Sequence, residues 1–426
     1  MKKHLYIILL ILPLIGFGQG WEQTFGGEDD DWGNSVQQTL DGGYIITGST
    51  RSFETIDKNI YLIKTNENGD EEWSQNYEVL VIDNGNSVQQ TSDGGYIISG
   101  HTRLEVTGDY DICLIKTDSN GNDEWIKTFG GDGNEMGFEV KQTFDGGYIV
   151  VGYTTSFSNE SDVYIIKTDS NGNIDWSQIY GGNNWDSGKS VQQTLDGGYI
   201  ITGYTNISEE DKLYLLKISE NGNEEWSQNF GISNYDRGNY VQQTLDGGYI
   251  ILGYNGNPFN TSYLIKTDEN GDEEWFQNLE GILSSFEVKQ TLDGGYIVFG
   301  NKLNDLDGYD DLCILKTDGN GNEEWSQTFG GIWCQDSGYS GQQTLDEGYI
   351  TTGFTYNDFS GYMDVYLIKT DSQGNLTFTT ELPTPTSKRE LVKTTNILGQ
   401  ENTTIKNQPL IEIYDDGSVD KKYIIE

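Results

Sequence analysis

One pentapeptide recurs about every fifty residues along most of this chain, a period typical of repeat architectures. Asp-Gly-Gly-Tyr-Ile begins at six positions, Asp41, Asp93, Asp145, Asp196, Asp246 and Asp293, and a seventh copy at Asp346 reads Asp-Glu-Gly-Tyr-Ile. A tryptophan that follows an acidic, glycine-containing turn keeps the same period, at Trp73, Trp125, Trp176, Trp226, Trp275 and Trp325. Self-similarity of this kind indicates that each copy forms one supersecondary unit and that neighbouring copies share a core.

Each unit reads as four short strands. In the first unit these lie near Ser35–Thr39, Tyr44–Gly48, Ile60–Thr65 and Trp73–Tyr77. The turn Asn68-Gly69-Asp70 contains the residue types that tolerate positive φ in hairpins, so the tryptophan strand pairs with the strand before it. The strand Tyr61-Leu62-Ile63 is apolar on both faces, which predicts burial between two layers. Four strands with two-faced burial predict a blade of a β-propeller.

The sequence therefore predicts an all-β protein, a seven-bladed β-propeller of four-stranded blades followed by a small C-terminal β-segment. The propeller is expected over residues 19–380, with blades at about 35–82, 87–131, 138–182, 190–231, 240–281, 286–331 and 340–380. Either Trp21–Phe25, an extra N-terminal strand, or Leu376–Thr380 could complete the last blade. A linear β-solenoid and an eight-bladed ring are the alternatives. Solenoid coils are usually shorter, and an eighth Asp-x-Gly-Tyr-Ile strand is missing.

The residue sequence of the repeat also resembles that of a known group of proteins. The first unit contains the segments Trp21-Glu22-Gln23-Thr24-Phe25-Gly26-Gly27, Ser35-Val36-Gln37-Gln38-Thr39, Asp41-Gly42-Gly43-Tyr44-Ile45 and Tyr61-Leu62-Ile63-Lys64-Thr65. These resemble the β-propeller repeats of exported proteins from Bacteroidetes-type bacteria, and the likeness covers Trp21 to Thr380. The resemblance implies a propeller but specifies no ligand and no activity.

The first residues read as a targeting segment. Lys2 and Lys3 precede an apolar run from Leu5 to Phe17, and Gly16-Phe17-Gly18 forms a small-x-small site. A basic start, a short apolar run and such a site predict a signal peptide over residues 1–18. The run is too short to span a bilayer, and no later stretch is apolar enough to do so.

The C-terminal residues carry a second resemblance. A proline-containing linker over 381–387 leads into a segment, 388–426, that lacks the repeat. This segment resembles the type A C-terminal sorting domain of type IX secretion substrates, most specifically at Asn396, Gly399, Tyr414, Asp415, Asp416 and Gly417. The resemblance implies recognition by the type IX machinery, and a secreted or outer-membrane-surface protein of a Gram-negative bacterium. An ordinary terminal β-segment is the alternative.

The charge balance excludes some partners. The chain has 68 acidic and 25 basic side chains, for a formal net charge of -43. Such a field repels phosphate backbones and anionic lipid, so neither nucleic acid nor bare membrane is an expected partner.

Few residues suggest catalysis. The two histidines are His4, in the predicted signal peptide, and His101, and nothing around His101 suggests a Ser-His-Asp or Cys-His arrangement. No cysteine or histidine spacing suits zinc. A catalytic carboxylate pair is expected to break the repeat symmetry, and no such break is evident. A glycosidase or lyase that uses acidic residues near the central channel stays as the alternative to a non-enzymatic binding protein.

Repeated acidic turns raise the question of calcium. They have the form Thr-Asp-x-Asn-Gly-Asn/Asp and occur at Thr117–Asn122, Thr168–Asn173, Thr267–Asp272 and Thr317–Asn322. The glycine comes too early for a helix-loop-helix calcium site, and Asn-Gly also makes a hairpin turn without metal. We therefore expect no cofactor and keep calcium at these turns as the alternative.

The connections between strands differ at the two ends of the ring. Leu40–Gly43 and Asn66–Glu72 lie at one end, the turn face, and hardly vary between repeats. Gly26–Asn34 and Ser49–Asn59 lie at the other end, the variable-loop face, and vary strongly. Loops that bind a ligand tend to differ, so this face is the expected site for a carbohydrate or protein partner. The candidate residues are Asp31, Trp32, Trp185, Asp186, Tyr235, Trp333 and Asp336. Aromatic residues packed against the blades are the alternative interpretation.

Overall fold

A computed structural model of the chain describes residues 20–53, 57–157, 160–182, 184–256, 261–304, 306, 308–331, 334–357 and 361–376, and three later strands. The chain divides into two compact units, Met1–Thr377 and Phe378–Glu426. All regular elements of the described residues are β-strands. No helix among them is long and apolar enough to span a membrane. The predicted signal peptide lies outside the described residues.

The first unit begins with strand β1 (Trp21–Phe25), which precedes the first blade. Blade 1 contains β2 (Asp31–Gln38), β3 (Tyr44–Thr50), β4 (Asn59–Thr65) and β5 (Glu71–Tyr77). Blade 2 contains β6 (Asp83–Gln90), β7 (Tyr96–Arg103), β8 (Tyr110–Thr117) and β9 (Asp123–Phe129). Blade 3 contains β10 (Glu135–Gln142), β11 (Tyr148–Thr154), β12 (Asp162–Thr168) and β13 (Ile174–Tyr180).

The remaining blades repeat this plan. Blade 4 contains β14 (Asp186–Gln193), β15 (Tyr199–Ile207), β16 (Glu210–Ile218) and β17 (Glu224–Phe230). Blade 5 contains β18 (Asp236–Gln243), β19 (Tyr249–Asn255), β20 (Thr261–Thr267) and β21 (Glu273–Leu279). Blade 6 contains β22 (Ile282–Gln290), β23 (Tyr296–Leu303), β24 (Asp310–Thr317) and β25 (Glu323–Phe329). Blade 7 contains β26 (Asp336–Gln343), β27 (Tyr349–Asn357) and β28 (Tyr362–Thr370).

The sheets confirm the predicted seven-bladed β-propeller of four-stranded antiparallel blades. Blades 1 to 6 each pair their strands in chain order, from an inner strand to an outer one. Blade 7 takes its fourth strand from the start of the chain, in the order β1-β28-β27-β26. Trp21 pairs with Lys369 and Phe25 pairs with Val365. Of the two candidates, Trp21–Phe25 therefore closes the ring, and residues 377–380 lie outside the described part.

Apolar residues lie between the blades. The third strand of blade 1, β4, is buried along its whole length, as two-faced burial requires. The described core forms seven apolar clusters, and each draws on two neighbouring blades. The cluster between blades 7 and 1 contains Val365 and Leu367 together with Val36 and Tyr44. The closing junction thus has the same kind of core as the others.

The recurring tryptophan packs across the junction between blades. Trp73 of blade 1 lies against Tyr96 of blade 2, with ring centroids 5.9 Å apart. A Cβ atom added to Gly121, in the turn of that next blade, would lie 2.6 Å from the Trp73 ring. All seven junctions contain this Trp–Tyr pair at 5.6 to 6.1 Å, and Trp21 supplies it where blade 7 meets blade 1.

A buried lysine ties the strands of each blade to its turn. Lys64 Nζ lies 3.0 Å from Asp41 of the Asp-Gly-Gly turn and 2.9 Å from Glu72 on the outer strand. The equivalent lysines pair in the same way with the turn aspartate of their own blade: Lys116, Lys167, Lys217, Lys266, Lys316 and Lys369. The recurring Asp and Lys of the repeat are therefore structural partners.

A ring of glutamines links each blade to the one before it. The amide of Leu40 in blade 1 donates to Gln90 Oε1 in blade 2 at 2.8 Å. The same bond recurs at every junction and includes Leu345 to Gln38, at 2.9 Å, between the last blade and the first. The glutamine that ends each inner strand thus holds two turns together.

The second unit contains a small antiparallel sheet. Its strands are β29 (Leu391–Asn396), β30 (Pro409–Tyr414) and β31 (Val419–Tyr423), paired in that order. Asn396 and Tyr414, two residues of the predicted sorting signal, lie on β29 and β30. The other four, Gly399, Asp415, Asp416 and Gly417, lie outside the described residues.

The seventh Asp-x-Gly turn offers a test of backbone strain. Glu347 has φ +67, whereas the glycine at this position in blade 2, Gly94, has φ +88 and open space around its Cβ position. Left-handed conformation costs a residue with a Cβ roughly 1–2 kcal/mol. We predict that Glu347→Gly stabilises the protein by about 1 kcal/mol and that Gly94→Glu destabilises it by a similar amount. Chemical unfolding of both variants checks this, and a lower stability of Glu347→Gly would contradict it.

The Lys–Asp pairs predict loss of stability in acid. Burial raises the pKa of Asp93, but hydrogen bonds from Thr91 and the Gly95 amide, together with Lys116, outweigh it and lower the pKa from 3.8 to about 2. Because the folded pKa is depressed, the stabilisation is complete above the unfolded value and is lost as the pH falls from about 4 to about 2.

Unfolding midpoints measured between pH 5 and pH 2 test this. Asp93→Asn has no carboxylate to protonate, so it should be less stable than the wild type at pH 5 and lose less stability on acidification. Parallel pH curves for the two proteins would show that the pair makes no such contribution.

Candidate functional site

Seven inner strands line a central channel: β2, β6, β10, β14, β18, β22 and β26. The channel contains a cavity of about 370 Å³, a size typical of small-ligand sites. A β-bulge interrupts the register between Gly33 and Ser35, and the same irregularity recurs in every inner strand. Bulges of this kind redirect side chains, and Asn34, at the bulge, lines the cavity.

The channel breaks the repeat symmetry, which corrects the expectation of an unbroken repeat. The inner strands of blades 1, 2 and 4 have serine, valine and two glutamines after the bulge, as in Ser35-Val36-Gln37-Gln38. Blades 3 and 6 instead share the pentapeptide Phe-Glu-Val-Lys-Gln, at Phe138–Gln142 and Phe286–Gln290. The signal was present in the sequence as one identical substitution in two repeats, but only the ring brings both copies to one cavity.

These substitutions place two Glu–Lys pairs in the channel. Glu139 lies 2.7 Å from Lys141, and Glu287 lies 2.7 Å from Lys289. The second oxygen of each glutamate accepts a backbone N–H of the next blade, Val191 at 2.8 Å and Gly341 at 2.9 Å. Serine fills this acceptor role in most other blades. Each glutamate thus has both oxygens occupied.

The charged form of one group in each pair is stabilised by the other pair. Burial raises the pKa of Glu287, but Lys289 and the more distant Lys141 outweigh it and hold this pKa below its ordinary value. Burial lowers the pKa of Lys141, but Glu139 and then Glu287 raise it above its ordinary value. Glu287 and Lys141 are therefore ionised at neutral pH.

A third channel lysine lacks such a carboxylate. Lys189 occupies the bulge position of β14, and its Nζ lies 3.4 Å from the centroid of the Phe138 ring. Burial, with a smaller effect of Arg237, lowers the pKa of Lys189 to about 7. Arg237 itself pairs with Asp211 at 2.6 Å and stacks on Tyr204. Lys189 forms no salt bridge within the described part of the chain.

Aromatic rings share the bulge row with Lys189. Phe138, Phe286 and Tyr339 line the cavity and are half-buried. The rings of Phe286 and Tyr339 meet edge to face, with centroids 4.9 Å apart. Apolar ring surface beside polar groups is typical of sites that bind sugar rings.

The predicted site acids occupy a different position from the one expected. Asp31, Asp186 and Asp336 are buried and do not lie among exposed aromatic residues. Each accepts a backbone N–H from the loop just before it, with donors at Gly27, Gly182 and Gly331 and distances of 2.8 to 2.9 Å. Burial raises the pKa of Asp31 and Asp186 despite these bonds. These aspartates hold the base of each loop through hydrogen bonds, and little of their own surface is left for a ligand.

The predicted aromatic residues are only partly exposed. Trp185 is 54% exposed. Trp32 is half-buried, with Lys58 Nζ 4.4 Å and Arg51 Cζ 5.6 Å from its ring. Tyr235 packs against the Arg237 guanidinium at 4.2 Å. Trp333 lies outside the described residues. Of the described candidates, Trp185 is the one whose ring is open to solvent.

The acidic turns are closed by hydrogen bonds within the turn. Asp118 Oδ1 accepts the amides of Asn120 and Asn122 at 2.8 and 2.9 Å. The equivalent bonds recur at Asp169, Asp268 and Asp318. Within the described ranges, no group of three or more His, Cys, Asp or Glu side chains is arranged to hold a metal ion.

His101 packs beside an aromatic ring and a side-chain amide. Its ring packs edge-on against Tyr110 and contacts the Asn86 amide. Burial, then Lys58, lowers the pKa of His101 to about 4, so the ring is neutral at physiological pH.

The turn face carries a feature that the sequence interpretation missed. Six blades expose a large apolar residue at the tip of the Asp-Gly-Gly turn, between 73% and 87% exposed: Leu40, Phe144, Leu195, Leu245, Leu292 and Leu345. The recurring apolar residue after Gln-Thr was the available signal. Similarity between loops thus does not by itself mark a face as scaffold.

Comparisons with known proteins relate the chain by fold. No protein-family model and no curated protein matches it. A puromycin hydrolase mutant complexed with PGG superposes with a TM-score of 0.51 at 12% identity, over 90% of this chain and 58% of that protein. A protein of unknown function from Dyadobacter fermentans gives 0.48 at 8% identity, over 82% and 97%. Sqt1 from Chaetomium thermophilum, bound to the N-terminus of the ribosomal protein L10, gives 0.46 at 11% identity, over 93% and 98%. Likeness at this identity concerns the propeller fold alone.

Proposed function

We propose that this chain is a secreted or cell-surface binding protein without enzymatic activity. Its variable-loop face, with the adjoining mouth of the channel, contacts a carbohydrate or protein partner. One observation carries the proposal: the side chains that recur in every blade already have structural partners. The tryptophans, the lysines and the glutamines of the repeat hold blades and turns together. Recognition therefore depends on the residues that vary.

The alternative, a carbohydrate-active enzyme, has weaker support from the channel. Glycoside hydrolysis needs one carboxyl group that is protonated and able to act as an acid. The channel glutamates Glu139 and Glu287 each pair with a lysine and accept a backbone N–H. Carboxylates saturated in this way are poor proton donors, so a binding role fits them better.

Export rests on the two chain ends. The basic and apolar start resembles a signal peptide, and the C-terminal segment resembles a type IX sorting domain. A three-stranded sheet at β29–β31 suits a short sorting module. We propose that the tail directs the propeller across the outer membrane and that the chain is then released or attached to the cell surface.

A glycan array run beside a polysaccharide-degradation assay tests the binding function. We expect binding without release of product. Trp185→Ala should weaken binding of a loop-face ligand, because Trp185 is an open ring on that face. The matched control variant is Phe144→Ala, which removes an exposed aromatic ring from the turn face. Trp325→Ala would not serve as a control, because Trp325 packs on Tyr349 in the core. Release of reducing ends by the wild type would overturn the proposal.

Truncation tests the export role. Removal of residues 388–426 should leave the propeller in the periplasm, since the predicted sorting segment would be gone. Cell fractionation of the producing bacterium, with the full-length chain alongside, locates the protein. Normal export of the truncated chain would show that this segment is not the signal.

A further inference from the structure

The channel cavity contains a lysine that no carboxylate pairs with among the described residues, in a chain that is strongly acidic. Its charged side chains are three lysines and two glutamates: Lys141, Lys189, Lys289, Glu139 and Glu287. Within each Glu–Lys pair the two opposite charges lie 2.7 Å apart and neutralise each other. Lys189 is the remaining charged group of the cavity lining. In a chain with a formal net charge of -43, a lysine without a carboxylate partner is a local exception.

Lys189 is costly in its present environment. A half-buried ammonium group without a carboxylate loses part of its hydration, and the lowered pKa of Lys189, about 7, expresses this loss. The centroid of the Phe138 ring lies 3.4 Å from Nζ and compensates only part of the lost hydration energy, since cation–π contacts contribute about 0.5–2 kcal/mol. An arrangement that sacrifices stability in a cavity is typical of functional sites. An anionic ligand would restore the missing partner.

The other residues that line the cavity indicate what the rest of the ligand looks like. Phe286 and Tyr339 present ring surface, and Asn34 and Asn239 line the same cavity. Each of these asparagines donates one amide N–H to the next blade, at 2.8 and 2.7 Å, and has a second N–H donor. Ring surface beside side-chain amides suits a ring that has one apolar face and several hydroxyl groups.

We propose that the channel cavity binds a uronic acid residue of an oligosaccharide, whose carboxylate pairs with Lys189 and whose ring lies against the channel aromatics. This inference rests on the proposed binding function and names its ligand class. A single uncompensated cation fits one carboxylate better than a phosphate group, for which clustered or bidentate donors are usual. The cavity volume of about 370 Å³ suits a ligand of one or two rings.

Isothermal titration of the full chain with uronate oligosaccharides tests the proposal. The probes are disaccharides of galacturonate, glucuronate, mannuronate and guluronate, each beside its neutral counterpart. At least one uronate should bind, and its neutral counterpart should bind about tenfold or more weakly, because a charge-assisted hydrogen bond contributes about 1.5–3 kcal/mol. Equal binding of the neutral sugar, or no uronate binding, overturns the proposal.

Two variants locate the contact. Lys189→Met should weaken uronate binding by about tenfold or more. Lys127→Met removes the same charge from outer strand β9, outside the cavity, and should leave the affinity unchanged. The melting temperature of Lys189→Met should equal or exceed that of the wild type, because a half-buried cation without a carboxylate is gone. This separates a binding role from a structural one, for which the melting temperature would fall.

Other outcomes distinguish this inference from the proposed function. Short peptides with a free C-terminal carboxylate, beside their amidated forms, form a further arm, and their preference over every uronate would overturn the sugar assignment. A ligand that binds the wild type and Lys189→Met equally, but binds Trp185→Ala weakly, would preserve the loop-face function and overturn the channel site. Uronate binding that depends on Lys189 would support the channel site even if an array of neutral glycans shows none.

Discussion

The contact between neighbouring blades is the interaction on which this structure depends. A four-stranded sheet that is apolar on both faces cannot exist alone in water, so each blade must bury both faces against its neighbours. At every junction a tryptophan of one blade covers the tyrosine of the next. The same indole lies over a turn glycine, where a side chain would collide with it. The most recurrent residues of the chain are those that make this contact.

Ring closure follows from the same contact. Blade 7 lacks a fourth strand of its own among the described residues, and its outer edge would expose unpaired backbone groups. Strand β1 fills that edge and brings Trp21 against Tyr44 at 5.7 Å, the contact found between the other blades. A single geometric unit thus serves the closing junction and the six others. The loops at the variable face are then free to differ without loss of the ring.

Closure also creates the site. The inner strands converge on a channel, and side chains from blades 3, 4 and 6 meet there although the sequence separates them widely. The Glu–Lys pairs are self-sufficient, because each supplies its own counter-charge and an acceptor for the next blade. Lys189 differs from them in that its neighbours are an aromatic ring and an arginine that already has a partner. The charged groups of the cavity therefore come from the blades whose inner strands differ from the common repeat sequence.

The sequence by itself determined the seven blades, the four strands in each and the positive-φ turns, because a periodic pattern states local geometry directly. It could not decide whether Trp21–Phe25 or Leu376–Thr380 closes the ring, since both have strand-forming sequences. It also predicted that Asp31, Asp186 and Asp336 face a ligand on the variable-loop face. They are instead buried and accept hydrogen bonds from loop amides. The tertiary structure decided those points and the cavity around Lys189. The physical reason is that burial and charge compensation depend on neighbours across the ring, and distance along the chain carries no record of them.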